Sequence, residues 1–413
     1  MDQPATFSSL PPELVSTICT DPSLDKEDLI ALRLTSKSQG IHASATKAFS
    51  KRYFTDVLLL WNKYSLETFV QISQHPVFGP LIRRVQLSCA RYEEADFEDS
   101  VQELIGYGHA RDDFVEKVQQ LAQRCDHDHE QYPSDRVDSI LDRVFSRFTE
   151  SGNSFVLAVS ADEEKSLGRS KVLGPHMDSV GWWANPHATL NCLLLAADRS
   201  NLKIRKIEID VEAASICELD GRDYVFHDWA GLKSLHSLSE LTVNLWMPPD
   251  ALWHRDLGMV EGLLLLAVNL KSLHIRSNVF FHNDTKFKTL AQLIKHLPLE
   301  ELHLASLRMD QDIMTDILEG LGSNLRRLEL SKCNITGSWK PTLLSIQQLT
   351  LKLDQLRISG TRRCWLKGSV AFEGIGNVSS GVEWLLRTRE EMLEDDRSDP
   401  ESEPETVFDS DDD

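Results

Sequence analysis

At 413 residues the chain is about twice what one hydrophobic core serves, so more than one unit or an extended array is expected. Its formal net charge of -20 is unevenly spread: Glu390 to Asp413 holds thirteen acids and one base, supplies -12, and leaves about -8 on the rest. That mild balance excludes a global bias toward nucleic acid, and apolar runs such as "GLLLLAV" (262–268) are too short to cross a bilayer.

Residues 10–53 read as helices. Pro11 and Pro12 suit a first turn, where backbone donors have no partner, and Glu13 sits at the positive end of the helix dipole. Leu10, Leu14 and Ile18 fall at helical spacing. "TDPSLD" (20–25) breaks the helix, and Asp25 with Asp28 three residues on can cap the next. There Leu29 and Leu32 share a face, widened by Ile30 and Leu34. A third helix over 39–52 carries Ile41, Ala45, Ala48 and Phe49, and five Lys or Arg but no acid lie between Leu29 and Thr55. "SLETFVQISQHP" (65–76) is an amphipathic helix with Leu66, Phe69 and Val70 on one face, and "LIRRVQLS" (81–88) alternates like a strand.

Between 89 and 187 the pattern predicts irregular units with a helical insertion. Residues 101–125 read as helix, Val137, Ile140, Leu141, Val144, Phe145 and Phe148 mark another, "SFVLAVS" (154–160) reads as a strand, and 161–187 as a loop-rich excursion.

From residue 204 onward the chain is organised by a repeat. "IRKIEI" (204–209), "LSELTV" (238–243), "LKSLHI" (270–275), "LEELHL" (299–304), "LRRLEL" (325–330) and "LDQLRI" (353–358) share one pattern, with markers at 207, 241, 273, 302, 328 and 356. Helical stretches such as "FKTLAQLIKHL" (287–297) and "DIMTDILEGL" (312–321) lie between them. One strand and one helix per period resembles a leucine-rich-repeat solenoid, best at "LRRLELSKCNIT" (325–336), where Cys333 and Asn334 fall at or beside the polar ladder position. The fold class expected is therefore α/β. The tail from 389 has too little apolar surface to offset its ordering entropy, and disorder is expected there.

Strand alternation sends Lys206, Glu208, Asp210, Glu240, Thr242, Asn244, Ser272, His274, Arg276, Glu301, His303, Arg327, Glu329, Gln355 and Arg357 to the outward, concave face. That face is either a solvated surface or a binding surface. Trp246, Trp253 and Trp365 are alternative anchors. Ser398, Ser402, Thr406 and Ser410 each precede an acid by three residues, as an acid-directed kinase requires.

Catalysis has no motif behind it. "CDHDHE" (125–130) spaces His127 and His129 two apart, so they diverge on a helix, and "GIGNVSSG" (374–381) lacks the glycine spacing of a nucleotide loop. No cofactor, metal site or catalytic residue is expected. The opening "MDQPATFSS" is unlike a secretory signal, and seven scattered cysteines never form CxxC. Reduced thiols and a cytoplasmic or nuclear location are expected, with the sequons at Asn283, Asn334 and Asn377 chance matches.

Taken together, "LPPEL" (10–14), Ile18, "EDLIALRLTSK" (27–37) and "KAFSKRYF" (47–54) resemble the F-box proteins, of the fungal type in which irregular leucine-rich repeats come after the F-box. The break "CTDPSLDK" is longer than the family's, and "RLTSK" stands for the commoner "RLVCK". The resemblance implies an F-box over 1–56, a repeat solenoid over 57–388 and an acidic tail over 389–413. It implies that Leu10, Pro11, Leu14, Ile18, Leu29, Leu32, Leu34 and Lys37 contact a Skp-type adaptor, which joins a cullin and a RING protein. Lys206, Glu208, Thr242, His274, Arg276, His303, Arg327, Glu329 and Arg357 would then meet a protein substrate. The function expected is substrate recognition in a Skp–cullin–F-box ubiquitin ligase, without catalytic residues of its own. The alternative is a non-enzymatic interaction scaffold that binds a Skp-type adaptor or another partner.

Overall fold

Three helices open the chain: α1 (Pro12–Thr20), α2 (Lys26–Thr35) and α3 (Gln39–Tyr53). The computed structural model describes residues 10–35, 39–91, 134–161, 167, 183–184, 186–212, 229, 231–246, 256–277, 285–322, 324–349, 352–360 and 369–395. Lys37, Trp253, Trp365, the 101–125 helix, the "CDHDHE" cluster and the four tail hydroxyl residues lie outside them.

Helices α1 and α2 both pack on α3 around Val15, Cys19, Leu29, Ile41, Ala45, Ala48 and Phe49. The face of α1 differs from the spacing argument: Val15 and Cys19 point inward, while Leu14 and Ile18 stay outside. The cap at α2 is as the sequence predicts, with the Asp28 amide donating to Asp25 Oδ1 at 2.8 Å and the Asp25 amide to Asp28 Oδ2 at 3.1 Å. The long break before it is closed by Arg52 of α3. Its guanidinium donates to the carbonyls of Leu24, Asp21 and Thr20 at the end of α1 and in the loop, and Asp21 O also accepts from the Leu24 amide at 3.2 Å. Ser23 also donates to Asp21 Oδ1 through both its amide and its hydroxyl, which tightens the turn.

The chain divides into two units, Met1–Leu270 and Lys271–Asp413. In the first, the helices lead into β1 (Asp56–Leu59), α4 (Lys63–Gln74), β2 (Arg84–Ser88), β3 (Ala90–Arg91), α5 (Ser134–Glu150), β4 (Phe155–Ser160), β5 (Trp183–Ala184), α6 (Pro186–Arg199), β6 (Ile204–Glu212), β7 (Glu240–Trp246) and α7 (Asp256–Leu266). Strands β1, β2, β4, β6 and β7 pair in that order, all parallel, and β3 pairs β5 antiparallel. The parallel register aligns Val57, Val85, Leu157, Ile207 and Leu241 on the buried face. The end of α3 is joined to the turn after α4 by aromatic rings: Phe54 stacks on Phe78 at 4.2 Å, and Phe78 on His75 at 4.0 Å. The Arg33 guanidinium lies 4.6 Å from the Phe49 ring centre and 5.8 Å from that of Phe78.

The second unit runs β8 (Ser272–Ser277), α8 (Thr285–Ile294), β9 (Glu301–Ala305), β10 (Arg308–Asp310), α9 (Gln311–Leu321), β11 (Arg327–Ser331), β12 (Asn334–Thr336), α10 (Trp339–Leu349), β13 (Gln355–Ser359), β14 (Ser369–Glu373) and α11 (Ile375–Asp395). Strands β8, β9, β11 and β13 are parallel neighbours, and β14 closes the edge antiparallel to β13. "GIGNVSSG" enters α11, so it is a helix start rather than a loop around a ligand. The protein is thus α/β, with mostly parallel strands.

In this unit the leucine repeat has a matching repeat of backbone. Leu273, Leu302, Leu328 and Leu356 stand opposite one another and are buried. The chain then turns through a left-handed residue at Ser306, Lys332 and Gly360, with φ of 58°, 54° and 59°. Those positions have the same spacing as markers 302, 328 and 356. Ser and Lys are strained there, by roughly 1–2 kcal/mol. The strain is held by bonds to the next repeat, Ser306 N to Ser331 O at 2.7 Å and Lys332 N to Ser359 O at 2.6 Å. Cys333, fully buried, donates its thiol to Leu304 O at 3.2 Å, and burial pushes its pKa up to about 12, so it stays a neutral donor. A second short ladder, β10 with β12, lies beyond the corner.

Gly320 of α9 rests on the end of α8: a Cβ there would lie 2.3 Å from Lys295 Cβ and 2.9 Å from its carbonyl oxygen. Gly320→Ala is expected to cost about 1–3 kcal/mol by overpacking, and Leu328→Ala about 2–5 kcal/mol by cavity formation. Arg326→Ala, on an exposed pair with Asp354, should change stability by less than about 1 kcal/mol. Urea unfolding of the three variants gives the order.

Candidate binding surfaces

The three-helix unit has a closed core yet leaves large apolar side chains outside it. Leu34 is 78% exposed, Leu14 51% and Ile18 37%, and Pro11 is exposed beside them in the chain. Leu10 and Leu32 are partly buried against the core. Leu29 is fully buried, so its place is inside the unit and not on a docking face. Of the residues expected to contact a partner, the structure therefore leaves Pro11, Leu14, Ile18 and Leu34 available. Helical spacing alone did not separate Leu29 from them, because both kinds of leucine lie on α2.

On the first unit's sheet, Lys206, Glu208 and Thr242 are partly exposed, on strands β6 and β7. Glu208 accepts from Lys206 Nζ at 2.9 Å and from Arg84 Nε at 2.8 Å. Arg84 comes from β2, 124 residues away, and was not among the residues expected on this face. Alternation in "LIRRVQLS" carried the signal, but nothing in it names a partner. Burial alone would raise the Glu208 carboxyl; its two cationic neighbours outweigh that and hold it below the ordinary range. Toward β2 and β4 the same face is covered, with Gln86, Ser88, Ala158 and Ser160 buried.

The second unit carries the denser set, with Arg276, Arg327 and Arg357 exposed and His274, His303, Glu301 and Glu329 partly so. Register places His274, His303, Glu329 and Arg357 in one row across β8, β9, β11 and β13, with Ser272, Glu301, Arg327 and Gln355 in the next. Glu301 Oε1 lies 3.5 Å from His274 Nε2, and its Oε2 3.5 Å from Arg327 Nη1. Glu329 Oε1 lies 3.6 Å from His303 Nε2, and its Oε2 3.7 Å from Arg357 Nη1. Burial lowers the His303 pKa; the Glu329 carboxylate pulls it partly back, and His274 lowers it further. The polar residues that alternation assigned strand by strand thus form one connected surface on this sheet.

Among the described residues, no three His, Cys, Asp or Glu side chains converge as a metal ion requires, and no helix is long and apolar enough to cross a membrane. Cys19, Cys89, Cys192 and Cys333 are buried.

No protein-family model matches the chain, and no curated protein matches it. Among solved structures, a D-psicose 3-epimerase determined in the presence of D-fructose aligns with 79% of this chain and 88% of its own length, at 10% identity and a TM-score of 0.19. Two expectations are corrected on that finding. The sequence made the chain a substrate-recognition subunit of a ubiquitin ligase, or a non-enzymatic scaffold, and denied it enzyme character. That solved structure is an enzyme rather than an adaptor. At this TM-score the likeness carries no fold or activity to the chain.

The Glu208 cluster has a signed pH consequence. A carboxyl held below its unfolded value of about 4.5 stabilises the fold above that pH, and the contribution is lost as pH falls through the lower folded value. Glu208→Gln should lower the urea midpoint at neutral pH and shrink the fall in midpoint on acidification to about pH 3.5. An unchanged acid dependence would show that the cluster contributes no linkage.

Proposed function

We propose that residues 10–54 form a docking unit of the F-box kind, and that its partner is a Skp-type adaptor. The exposed Leu34, with Leu14 and Ile18, carries this reading. Fully burying a leucine contributes about 1.5–3 kcal/mol, so three such side chains left in water by a unit with its own core are a binding resource. The stretch from Leu29 to Thr55, with five bases and no acid, favours an acidic partner. The core leucine Leu29, the Asp25–Asp28 cap and the Arg52 clamp hold the docking side chains in place rather than meeting the partner. The strand–helix units of the second unit, with their equivalent corners at Ser306, Lys332 and Gly360, support a reading as irregular leucine-rich repeats. Their polar sheet face is a binding surface for a protein ligand.

Capture of a purified Skp-type adaptor by the full-length chain tests the docking unit. Leu14→Ser, Ile18→Ser and Leu34→Ser together should weaken capture at least about a hundredfold, from the loss of roughly 3 kcal/mol or more of apolar burial. Because all three are exposed, the circular dichroism spectrum and melting temperature should not move. Capture retained by the triple variant, or no capture by the wild type, overturns the reading.

A further inference from the structure

In the second unit each carboxylate of the polar face is shared. Glu301 lies between His274 on the preceding strand and Arg327 on the following one, and Glu329 lies likewise between His303 and Arg357. All four N···O separations fall between 3.5 and 3.7 Å, beyond ordinary hydrogen-bond length, so neither carboxylate is tightly bonded to a charged neighbour; Glu301 Oε2 also accepts from Ser272 Oγ at 3.2 Å, and that hydroxyl lies 3.2 Å from His274 Nε2. The two imidazole rings are 5.3 Å apart. The guanidinium side chains stand farther out than the imidazoles: Arg327 is 60% exposed and Arg357 44%, against 35% and 29% for His274 and His303.

We propose that this face binds an acidic peptide segment, and that His274 and His303 control its affinity by exchanging Glu301 and Glu329 with the arginines. The proposal rests on the reading of the sheet face as a binding surface and is independent of the N-terminal docking unit. The charged groups facing the two histidines within this unit are Arg276 on β8, Glu301 on β9, Arg327 and Glu329 on β11, and Arg357 on β13. With neutral imidazoles, Glu301 and Glu329 belong to Arg327 and Arg357 and offset their charge. When both imidazoles are protonated, each carboxylate gains a cation on its other side, and the guanidinium forks are released toward solvent. Three arginines against Glu301, Glu329 and, opposite Gln355 on β14, Glu373 leave the face neutral, and two imidazolium groups raise it to +2.

The geometry selects an extended acidic segment. Neighbouring strands are roughly 5 Å apart and alternate residues along an extended peptide roughly 7 Å, a spacing that long arginine side chains on adjacent strands can span. Arg327 and Arg357 can then each take a ligand carboxylate in a two-point bond. Burial of His303 disfavours its charged form and moves the protonation of that ring to lower pH. The ligand's own carboxylates titrate near pH 4, so they remain ionised across the range.

Fluorescence anisotropy of a labelled decapeptide of alternating Glu and Ser, titrated with the full-length chain, tests this. Affinity should tighten about tenfold or more between about pH 7.5 and about pH 5.5. The His274→Gln/His303→Gln variant should lose the tightening. Glu301→Gln/Glu329→Gln should bind at the higher pH as tightly as the wild type does at the lower one. Arg327→Gln/Arg357→Gln should weaken binding at both. A wild-type affinity that is flat with pH, or tightening kept by the histidine variant, overturns the proposal. Preference for a Lys–Ser decapeptide overturns the acidic ligand while leaving the face a binding surface. Failure of both peptides to bind overturns the two together, and adaptor capture bears on neither.

Discussion

Parallel strands stacked in register oblige each side chain to sit beside its equivalent on the next strand. In the second unit that constraint puts Leu273, Leu302, Leu328 and Leu356 in a buried row, and Ile275, Leu304, Leu330 and Ile358 in another. A slip of one residue on any strand would turn its leucines to water and its charges into the core. The corners depend on the same register: Ser306 and Lys332 keep a left-handed backbone because their amides reach Ser331 and Ser359 on the neighbouring repeat. So does the polar face, since the His, Glu and Arg side chains meet only because the leucines beneath them are aligned.

The N-terminal helices obey a different rule. Their core is small and nearly filled by Val15, Cys19, Leu29, Ile41, Ala45, Ala48 and Phe49, and the excess apolar side chains have nowhere inside to go. What stiffens the unit is polar: the Arg52 guanidinium donates to carbonyls at the end of α1 and in its loop, and the Asp25 and Asp28 carboxylates each accept from the other's amide. Stacked rings of Phe54, Phe78 and His75 then tie it to the turn that follows α4.

The period-two leucines, helices such as those read at 65–76, 287–297 and 312–321, and the capping acids were legible in the chain, because alternation and capping are local. The helical repeat was less informative. It grouped Leu10, Leu14 and Ile18, yet α1 buries Val15 and Cys19, one residue on from Leu14 and Ile18. Which side of an amphipathic helix is inward depends on what the other two helices present, and spacing within one helix does not contain that. Arg84 was missed for a related reason, since its partner Glu208 lies 124 residues away on another strand.

By itself, then, the sequence determined the alternation, the order of helices and strands, and which side chains could share a sheet face, since each follows from bonding geometry within a few residues. Only the tertiary structure decided that Leu29 is core while Leu34 is exposed, that Glu208 joins Lys206 to Arg84, and that Glu301 and Glu329 each sit between a histidine and an arginine. Those outcomes rest on distances between separate elements, and such distances exist only once the hydrophobic rows have set the strands side by side.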